Sequence, residues 1–322
     1  MVKEVVCINV LVTSISKKVP LLQAVRRAMK KMGISGAVIG ADRNGNCIGK
    51  YFVDEFWPMP SLEHFTVEEF ISICCKKQIR FIIPTRDGEL PFFSFYRQAF
   101  EENGIFVMVS EQHAVDICLD KLRFYEVLSA HGFPVVPTAL SLAELDDGDY
   151  VVKERYGAGA TNIGLRLTKE EANRHAQKLE APVFQPFIAG AEFSIDLYMT
   201  RTGRVKGAVA RTREYVVNGE SQITTTIRNE KLEDMCIAVA SYLRLYGHAV
   251  MQVIIDYEGQ FHLIECNPRF GGASTVSLEA GLDSFYWFFL ESQGGDLDDY
   301  PFSRSMKEKR QIRYPADFVI DL

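Results

Sequence analysis

The chain of 322 residues has 47% hydrophobic residues, 24% charged residues and a formal net charge of −6. Its length allows two or three packed units, and its acidic balance gives no reason to expect binding to nucleic acid. The seven cysteines form no Cys-x-x-Cys pair, so we expect reduced thiols and a cytoplasmic protein. We expect no membrane span, because no apolar run approaches the roughly 20 residues that one requires.

The first 110 residues alternate between strand-like and helix-like runs. The β-branched run 5–12 predicts a strand, and apolar residues at helical spacing over 19–32, closed by Gly33, predict a helix. The alternation continues with predicted strands at 36–40, 79–83 and 105–109 and predicted helices at 66–77 and 92–103. This order favours a parallel sheet covered by helices, as in a Rossmann-like domain. The loop 13–18 contains no glycine, which argues against a dinucleotide site there.

After residue 110 the pattern changes to segments typical of an α+β domain. A helix is predicted at about 119–131, and later strand-like runs favour hairpins. The predicted strands lie at 165–167, 193–200 and 204–210, and a charged helix is predicted at 168–180. The charged segment 303–313 is interpreted as a surface tail.

A lysine and a glycine-rich loop form the first stretch with chemical character. Lys153 ends a strand-like run and is followed by Gly157, Gly159 and Gly164. Glycines let backbone N–H groups approach a polyphosphate, and a lysine on the preceding strand supplies a fixed cation. A flexible lid over phosphates and an ordinary hairpin turn both remain open on these residues alone.

An extended connector forms the second stretch. The segment Gln185-Pro-Phe-Ile188 precedes Glu192. Exposed main-chain groups of such a connector can present a carbonyl and an N–H to an adenine edge, and a nearby carboxylate can accept from ribose hydroxyls. A plain interdomain connection with a surface glutamate is the alternative.

The most specific stretch is a predicted hairpin that ends in polar residues. Two β runs flank the turn 257–260, which places Gln252 on one arm beside Glu265 on the other. Glu265, Asn267 and Arg269 alternate along an extended chain and therefore share one face. Amide and carboxylate oxygens suit Mg²⁺, which takes its other ligands from phosphate and water. A salt-bridged strand end is the alternative.

Two further groups are candidates for the substrate pocket. Arg211, Arg213 and Ser221 lie in a polar segment between the connector and the hairpin, so they line an acceptor pocket or belong to a solvated hairpin. Asp87 and Glu89 follow a predicted strand of the first domain, where an open α/β sheet places its cleft. We regard these two acids as candidates for receiving an amine.

Together, these stretches resemble the ATP-grasp fold, most closely the large-subunit type of carbamoyl-phosphate synthase. The segments IPTRDGELPFF (82–93) and LDKLRFYEVLSAHGFPVVPT (119–138) extend the resemblance over nearly the whole chain. The chain departs from that synthase because it has room for only one ATP unit. The resemblance implies a Rossmann-like pre-ATP-grasp domain at 1–110 and a two-lobed ATP-grasp domain at 111–322. The lobes are a lid at about 120–185 and a metal and acceptor lobe at about 186–300, followed by a tail.

The resemblance also implies an activity: an ATP- and Mg²⁺-dependent ligase that converts a carboxylate to an acyl phosphate and transfers it to an amine. Mn²⁺ is an alternative ion, and the partners are a small carboxylate and a small amine, with homo-oligomers allowed. A noncatalytic ATP-binding module of the same fold is the alternative. The residue roles implied are phosphate binding by Lys121, Lys153, Gly157 and Gly159, adenine binding by Gln185, Pro186, Phe187 and Ile188, ribose binding by Glu192, metal binding by Gln252, Glu265 and Asn267, and catalysis by Arg269 with Lys153.

Overall fold

The computed structural model describes residues 8–157 and 162–320, and the strands within these ranges form three sheets. The strands of the first sheet are β1 (Asn9–Thr13), β2 (Val38–Asp42), β3 (Glu55–Pro58), β4 (Ile79–Ile83) and β5 (Phe106–Val107). They are parallel, in the order β3-β2-β1-β4-β5. The accompanying helices are α1 (Val19–Met32), α2 (Val67–Lys76), α3 (Leu90–Phe95) and α4 (Arg97–Glu102). The predicted Rossmann-like architecture is confirmed.

Local sequence signals explain where these helices begin and end. Helix α1 has its predicted bounds and ends at Gly33, whose φ of +73° is left-handed and suits glycine. Helix α2 begins with a capping box between Thr66 and Glu69. The single helix predicted at 92–103 is two helices, because Tyr96 has a turn-like ψ of 12° between α3 and α4. Apolar periodicity runs through this break, so the sequence pattern did not reveal it.

The second sheet is small and forms a separate lobe. It contains β6 (Tyr150–Glu154), β7 (Gly164–Leu167) and β8 (Pro182–Pro186), in the antiparallel order β7-β6-β8. Helices α5 (Gln112–Leu119) and α6 (Lys121–Ser129) precede it, and α7 (Lys169–Ala176) packs on it. Asp120 separates α5 from α6, and its carboxylate accepts from the first N–H groups of α6 and from Arg155. Helix α6 accounts for the helix predicted at about 119–131, whereas α5 was not predicted.

The third sheet has the most strands of the three sheets and is antiparallel. Its strands are β9 (Gly190–Met199), β10 (Val205–Thr212), β11 (Tyr215–Val217), β12 (Glu220–Ile227), β13 (Gly247–Asp256), β14 (Phe261–Asn267) and β15 (Arg310–Ile312). The order is β11-β12-β10-β9-β13-β14, and β15 pairs with β12. The helices here are α8 (Glu230–Tyr242), α9 (Thr275–Glu279) and α10 (Ser284–Ser292). One face of the sheet packs on α8, and the other carries polar side chains.

The C-terminal part of the chain joins the first domain to the third sheet. Apolar residues of α10 share a core with β1 and α1 of the first domain. The prediction of a surface tail at 303–313 is wrong, because β15 adds a strand to the third sheet and the partly buried Arg304 pairs with Glu233 at 2.6 Å. The charges that suggested a solvated tail instead form ion pairs with the sheet. Within the described ranges, no helix is long and apolar enough to span a membrane.

Candidate active site

Lys153 on the lid sheet faces the third sheet across a cleft. Its side chain is buried and interacts electrostatically with Glu265 on β14, Glu192 on β9 and Lys121 at the start of α6. Burial lowers the pKa of Lys153 to about 8, and nearby Lys121 also lowers it, whereas the two glutamates oppose the change. The two sheets thus bring the predicted phosphate and metal residues into one cleft.

The predicted polar hairpin forms, with a register shift between Gln252 and Val253. Gln252 on β13 pairs directly with Glu265 on β14, and the Asn267 side-chain amide donates to Glu265 Oε1 at 3.0 Å. Burial by itself would raise the pKa of Glu265, but Lys153 and the other neighbouring donors keep it below the usual range. Gln252, Glu265 and Asn267 line a single cavity of about 120 Å³. The structure therefore brings the three predicted metal ligands together.

The glycine loop begins beside a second lysine. Lys121 Nζ donates to the carbonyl of Gly157 at 2.8 Å. The φ of Gly157 is +113°, a conformation that side chains with a Cβ rarely adopt. Lys121 therefore lies at the base of the loop, close to Lys153. Gly159 lies outside the described residues.

The connector between the lid sheet and the third sheet is extended, as predicted. The side-chain amide of Gln185 is buried and donates to Thr138 Oγ1 at 2.7 Å, so it supports β8. The N–H of Phe187 donates to the carbonyl of Asp149 at 2.8 Å. Pro186 ends β8, and Ile188 lies between β8 and β9. The Gln185 side chain and the Phe187 N–H thus form hydrogen bonds inside the protein. The extended backbone at Pro186 and Ile188 matches the predicted connector.

Glu192 has a partner that the sequence did not indicate. Arg213 Nε lies 2.8 Å from Glu192 Oε1, and Arg213 also donates to the carbonyl of Gly219 at 3.0 Å. Burial raises the pKa of Glu192, and Arg213 partly offsets this effect. The ion pair links β9 to the polar segment that follows β10.

Arg269 crosses from the third sheet to the first domain. Its Nη2 donates to Asp87 Oδ2 at 2.7 Å and lies 3.3 Å from Asn267 Oδ1. Asp87 therefore orients the guanidinium. The two carboxylate oxygens of Glu89 accept from Thr13 and Ser14 at 2.8 and 2.7 Å, so this acid holds the end of β1. The contacts made by these two acids favour structural and orienting roles over reception of an amine.

Lys18 is a cleft residue that sequence reasoning missed. It lies in the glycine-free loop after β1, and its Nζ donates to both the carbonyl and the hydroxyl of Thr85 at 2.6 Å. Burial lowers the pKa of Lys18 to about 8; Arg269 lowers it further, while Glu89 and Asp87 oppose this. The available signal was a lysine at the carboxyl end of a parallel strand, where α/β sheets place their clefts.

A buried carboxylate beneath the cavity was also missed. Asp196 accepts from Arg211 Nε at 2.7 Å, from the Ser277 hydroxyl at 2.6 Å and from the Ser274 hydroxyl. His248 Nε2 lies 3.3 Å from it. Although burial opposes ionisation, Arg211 and these donors hold the pKa of Asp196 well below its usual range. Arg211 lines the cavity as predicted, and its fixed position depends on this acid. The signal was an aspartate within the apolar strand β9.

The donor set of the cleft fits a nucleotide-bound magnesium ion. Among the described residues, no group of three or more His, Cys, Asp or Glu side chains could hold a metal. Gln252, Glu265 and Asn267 supply one carboxylate and two amides, facing Lys153 and Lys121. Mg²⁺ commonly keeps water and phosphate ligands beside a few protein oxygens. Such a set is suited to an ion that arrives with phosphates.

The fold and the cleft define a class of protein: a Rossmann-like domain followed by two lobes, with lysine, carboxylate and amide side chains in the cleft between the lobes. Comparison with known families gives the class a name. The family described as ATP-grasp in the biosynthetic pathway with Ter operon matches residues 178–314, and the PylC-like N-terminal domain matches residues 10–108. These two matches support the predicted resemblance to ATP-grasp proteins and a single ATP-grasp unit.

Individual proteins that are similar to this chain share a low sequence identity with it. The 2-oxoglutarate carboxylase small subunit of Hydrogenobacter thermophilus is 21% identical over 294 residues, which cover 81% of this chain and 62% of that protein. The crystal structure of the biotin carboxylase domain of 2-oxoglutarate carboxylase from the same organism, with MgADP, ADP and bicarbonate, has a TM-score of 0.75 at 19% identity and covers 94% of this chain and 73% of its own. The N5-carboxyaminoimidazole synthetase of Staphylococcus aureus with ADP has a TM-score of 0.70 at 16% identity, covering 90% and 78%.

These similarities confirm the predicted fold. The chain spans less than two thirds of the length of the carboxylase subunit that it matches. Because these relatives are a carboxylase and a synthetase, they support the ATP-grasp architecture in general and do not single out carbamoyl-phosphate synthase.

Proposed function

We propose that the protein is an ATP- and Mg²⁺-dependent ligase that activates a carboxylate and joins it to an amine. The observation that carries this proposal is the convergence of Lys153, Glu265, Asn267 and Arg269 on one cleft between the lid sheet and the third sheet. A cleft that only bound nucleotide would not require an arginine oriented by a carboxylate from another domain. Catalysis explains both the phosphate-binding charges and Arg269.

In this proposal the nucleotide lies along the cleft. Lys121 and Lys153, with Gly157 and Gly159 of the loop, bind the phosphates. The connector residues Pro186 and Ile188 offer a carbonyl and an N–H to adenine, with Gln185 and Phe187 supporting their path. Glu192 accepts from the ribose, in exchange for its contact with Arg213. The buried, electrostatically paired lysine supports this arrangement, because a phosphate would replace the lost hydration of Lys153.

Gln252, Glu265 and Asn267 would hold Mg²⁺, or Mn²⁺ as an alternative, which when bound neutralises phosphate charge and orients the transferred group. Asn267 donates to Glu265 and lies 3.3 Å from Arg269. Its amide therefore links the acid that would bind metal to the arginine that would bind substrate. This link supports placing the reacting carboxylate beside Arg269.

The chemistry that follows from the cleft has two steps. A carboxylate oxygen forms a bond to the γ-phosphorus while the bond to the ADP oxygen breaks, and the amine nitrogen then displaces phosphate from the acyl carbon. Positioning and charge stabilisation supply most of the rate in phosphoryl transfer. Arg269 provides a planar pair of donors for the carboxylate, and Lys153 offsets charge on the transferred phosphoryl group.

The relatives support parts of this scheme. Their structures hold MgADP, ADP and bicarbonate, which agrees with nucleotide-dependent activation of a carboxylate. The acyl phosphate intermediate comes from the resemblance to carbamoyl-phosphate synthase. The dimer formed by the biotin carboxylase domain supports a homo-oligomer as part of the proposal. We also propose domains at 1–110 and 111–322 and a cytoplasmic location, which the free thiols of the described residues support.

A coupled assay of ADP release tests the function. The purified chain is incubated with Mg-ATP and a matrix of small carboxylates and amines, and product formation is followed by mass spectrometry. We expect ADP release that requires a particular carboxylate, with Arg269→Ala as the inactive control. A chain that binds Mg-ATP but releases no ADP with any combination would instead be a noncatalytic nucleotide-binding module of the same fold.

A further inference from the structure

Several residues that line the cavity beside the proposed metal site carry a buried polar atom with no hydrogen-bond partner, and three of these atoms belong to residues that are themselves almost fully buried. These atoms are the hydroxyl oxygens of Ser194 and Ser221 and Nη1 of Arg211, and none has a partner among the described residues. The exposed fractions of these residues are 0%, 1% and 2%, and all three line the cavity of about 120 Å³. Because buried polar groups in proteins are nearly always hydrogen-bonded, three orphan atoms around one cavity indicate a ligand.

Arg211 is held in place by contacts that do not involve its Nη1 atom. Its Nε donates to Asp196 Oδ2 at 2.7 Å, and Asp196 is itself fixed by the hydroxyls of Ser274 and Ser277. The guanidinium is therefore rigid, and Nη1 remains available. Since an arginine can only donate hydrogen bonds, the group that meets Nη1 must be an acceptor.

The strand register places these donors in line with the proposed metal site. Arg211 pairs with Ser194, Ser194 with Gln252, and Gln252 with Glu265, which forms a row across four neighbouring strands. At about 4.8 Å per strand, the backbones of Ser194 and Glu265 lie roughly 10 Å apart. A molecule in the cavity can therefore meet the orphan donors at one end and the residues of phosphoryl transfer at the other.

We propose that the carboxylate substrate is a short acid with a second oxyanion group, which Arg211 Nη1, Ser194 and Ser221 bind. This inference rests on the proposed function, since it places the reacting carboxyl beside Arg269. A cavity of about 150 Å³ accommodates benzene, which has six non-hydrogen atoms, so a cavity of about 120 Å³ limits the part beyond the reacting carboxyl to at most about six non-hydrogen atoms. A carboxylate and a phosphonate share the required acceptor chemistry.

Calorimetric binding with matched acids tests the proposal. Butyrate and succinate differ by one carboxylate, as do pentanoate and glutarate, and 3-phosphonopropionate replaces the second carboxylate by a phosphonate. Each acid is titrated into the full chain with and without Mg-ADP. Ser221→Ala and Ser194→Ala each remove one orphan hydroxyl, and Ser292→Ala removes a buried hydroxyl outside the cavity.

We expect succinate, glutarate or the phosphonate to bind at least tenfold more tightly than its monoanionic match, and each cavity variant to reduce that preference about tenfold. The melting temperature should not fall, because neither hydroxyl has a partner to lose within residues 8–157 and 162–320. Ser292→Ala should bind as the wild type does. Equal binding of mono- and dianions, or equal binding to the wild type and Ser221→Ala, would overturn the proposal. If the wild type still releases ADP in a carboxylate-dependent way in that case, the proposed ligase function is retained.

Discussion

Lys153 provides a quantitative test of the cleft that does not depend on knowing the substrate. Burial lowers its pKa from the ordinary lysine value of 10.5 to about 8. At about 1.4 kcal/mol per pKa unit, the charged side chain reduces the stability of the unliganded fold by about 3 kcal/mol at neutral pH. In the unfolded chain Lys153 stays protonated up to about pH 10.5, whereas in the folded chain it loses its proton near pH 8. The penalty is therefore constant below about pH 8 and disappears as the pH rises from 8 to 10.5.

The variant Lys153→Met removes the charge with little change in side-chain length. Between pH 7 and pH 10.5 the wild type should gain about 3 kcal/mol of stability as Lys153 loses its charge, whereas the variant has no such charge to lose. The free energy of unfolding of the variant minus that of the wild type should therefore fall by about 3 kcal/mol over this range. Urea denaturation at a series of pH values measures this difference. The variant should also lose Mg-ATP-dependent ADP release.

The exposed residue Lys30 on α1 supplies the matched control. The variant Lys30→Met removes one positive charge from the surface and should leave the pH dependence of stability close to that of the wild type. A difference between Lys153→Met and the wild type that stays constant from pH 7 to pH 10.5 would refute burial of a charged amine in the cleft.

Three further predictions concern the residues around Lys153. Arg269→Ala should lower turnover by about 10²-fold or more, as for loss of other transition-state donors, while Mg-ATP affinity by calorimetry changes little; unchanged turnover would remove Arg269 from the mechanism. Asp196→Asn leaves Arg211 buried without its counter-charge and should lower the free energy of unfolding by about 3–5 kcal/mol, whereas a loss below about 1 kcal/mol would show that the pair is not buried as described. Chelation of divalent ions by EDTA should stop ADP release without lowering the melting temperature, because the proposed metal site has a single carboxylate, Glu265; a lower melting temperature would indicate a resident structural ion.

The sequence by itself determined the local structure and the most compact part of the site. Helix α1 was predicted with its observed bounds, because apolar spacing and a terminal glycine are both local signals. Glu265, Asn267 and Arg269 were predicted to share a face, because alternate residues of a strand must do so. That Gln252 lies beside Glu265 was also predicted from the hairpin, but their direct pairing depends on a register shift between Gln252 and Val253 that the turn does not specify.

Only the tertiary structure decided how distant segments complete the cleft. Arg269 pairs with Asp87, which lies 182 residues earlier, and Lys18 enters the cleft from a loop whose lack of glycine had argued only against a dinucleotide site. Residues 310–312, within the predicted tail, pair with β12 of the third sheet. Local periodicity carries no information about such partners, because the ion pairs and strand register that select them form only when separately folded segments pack together.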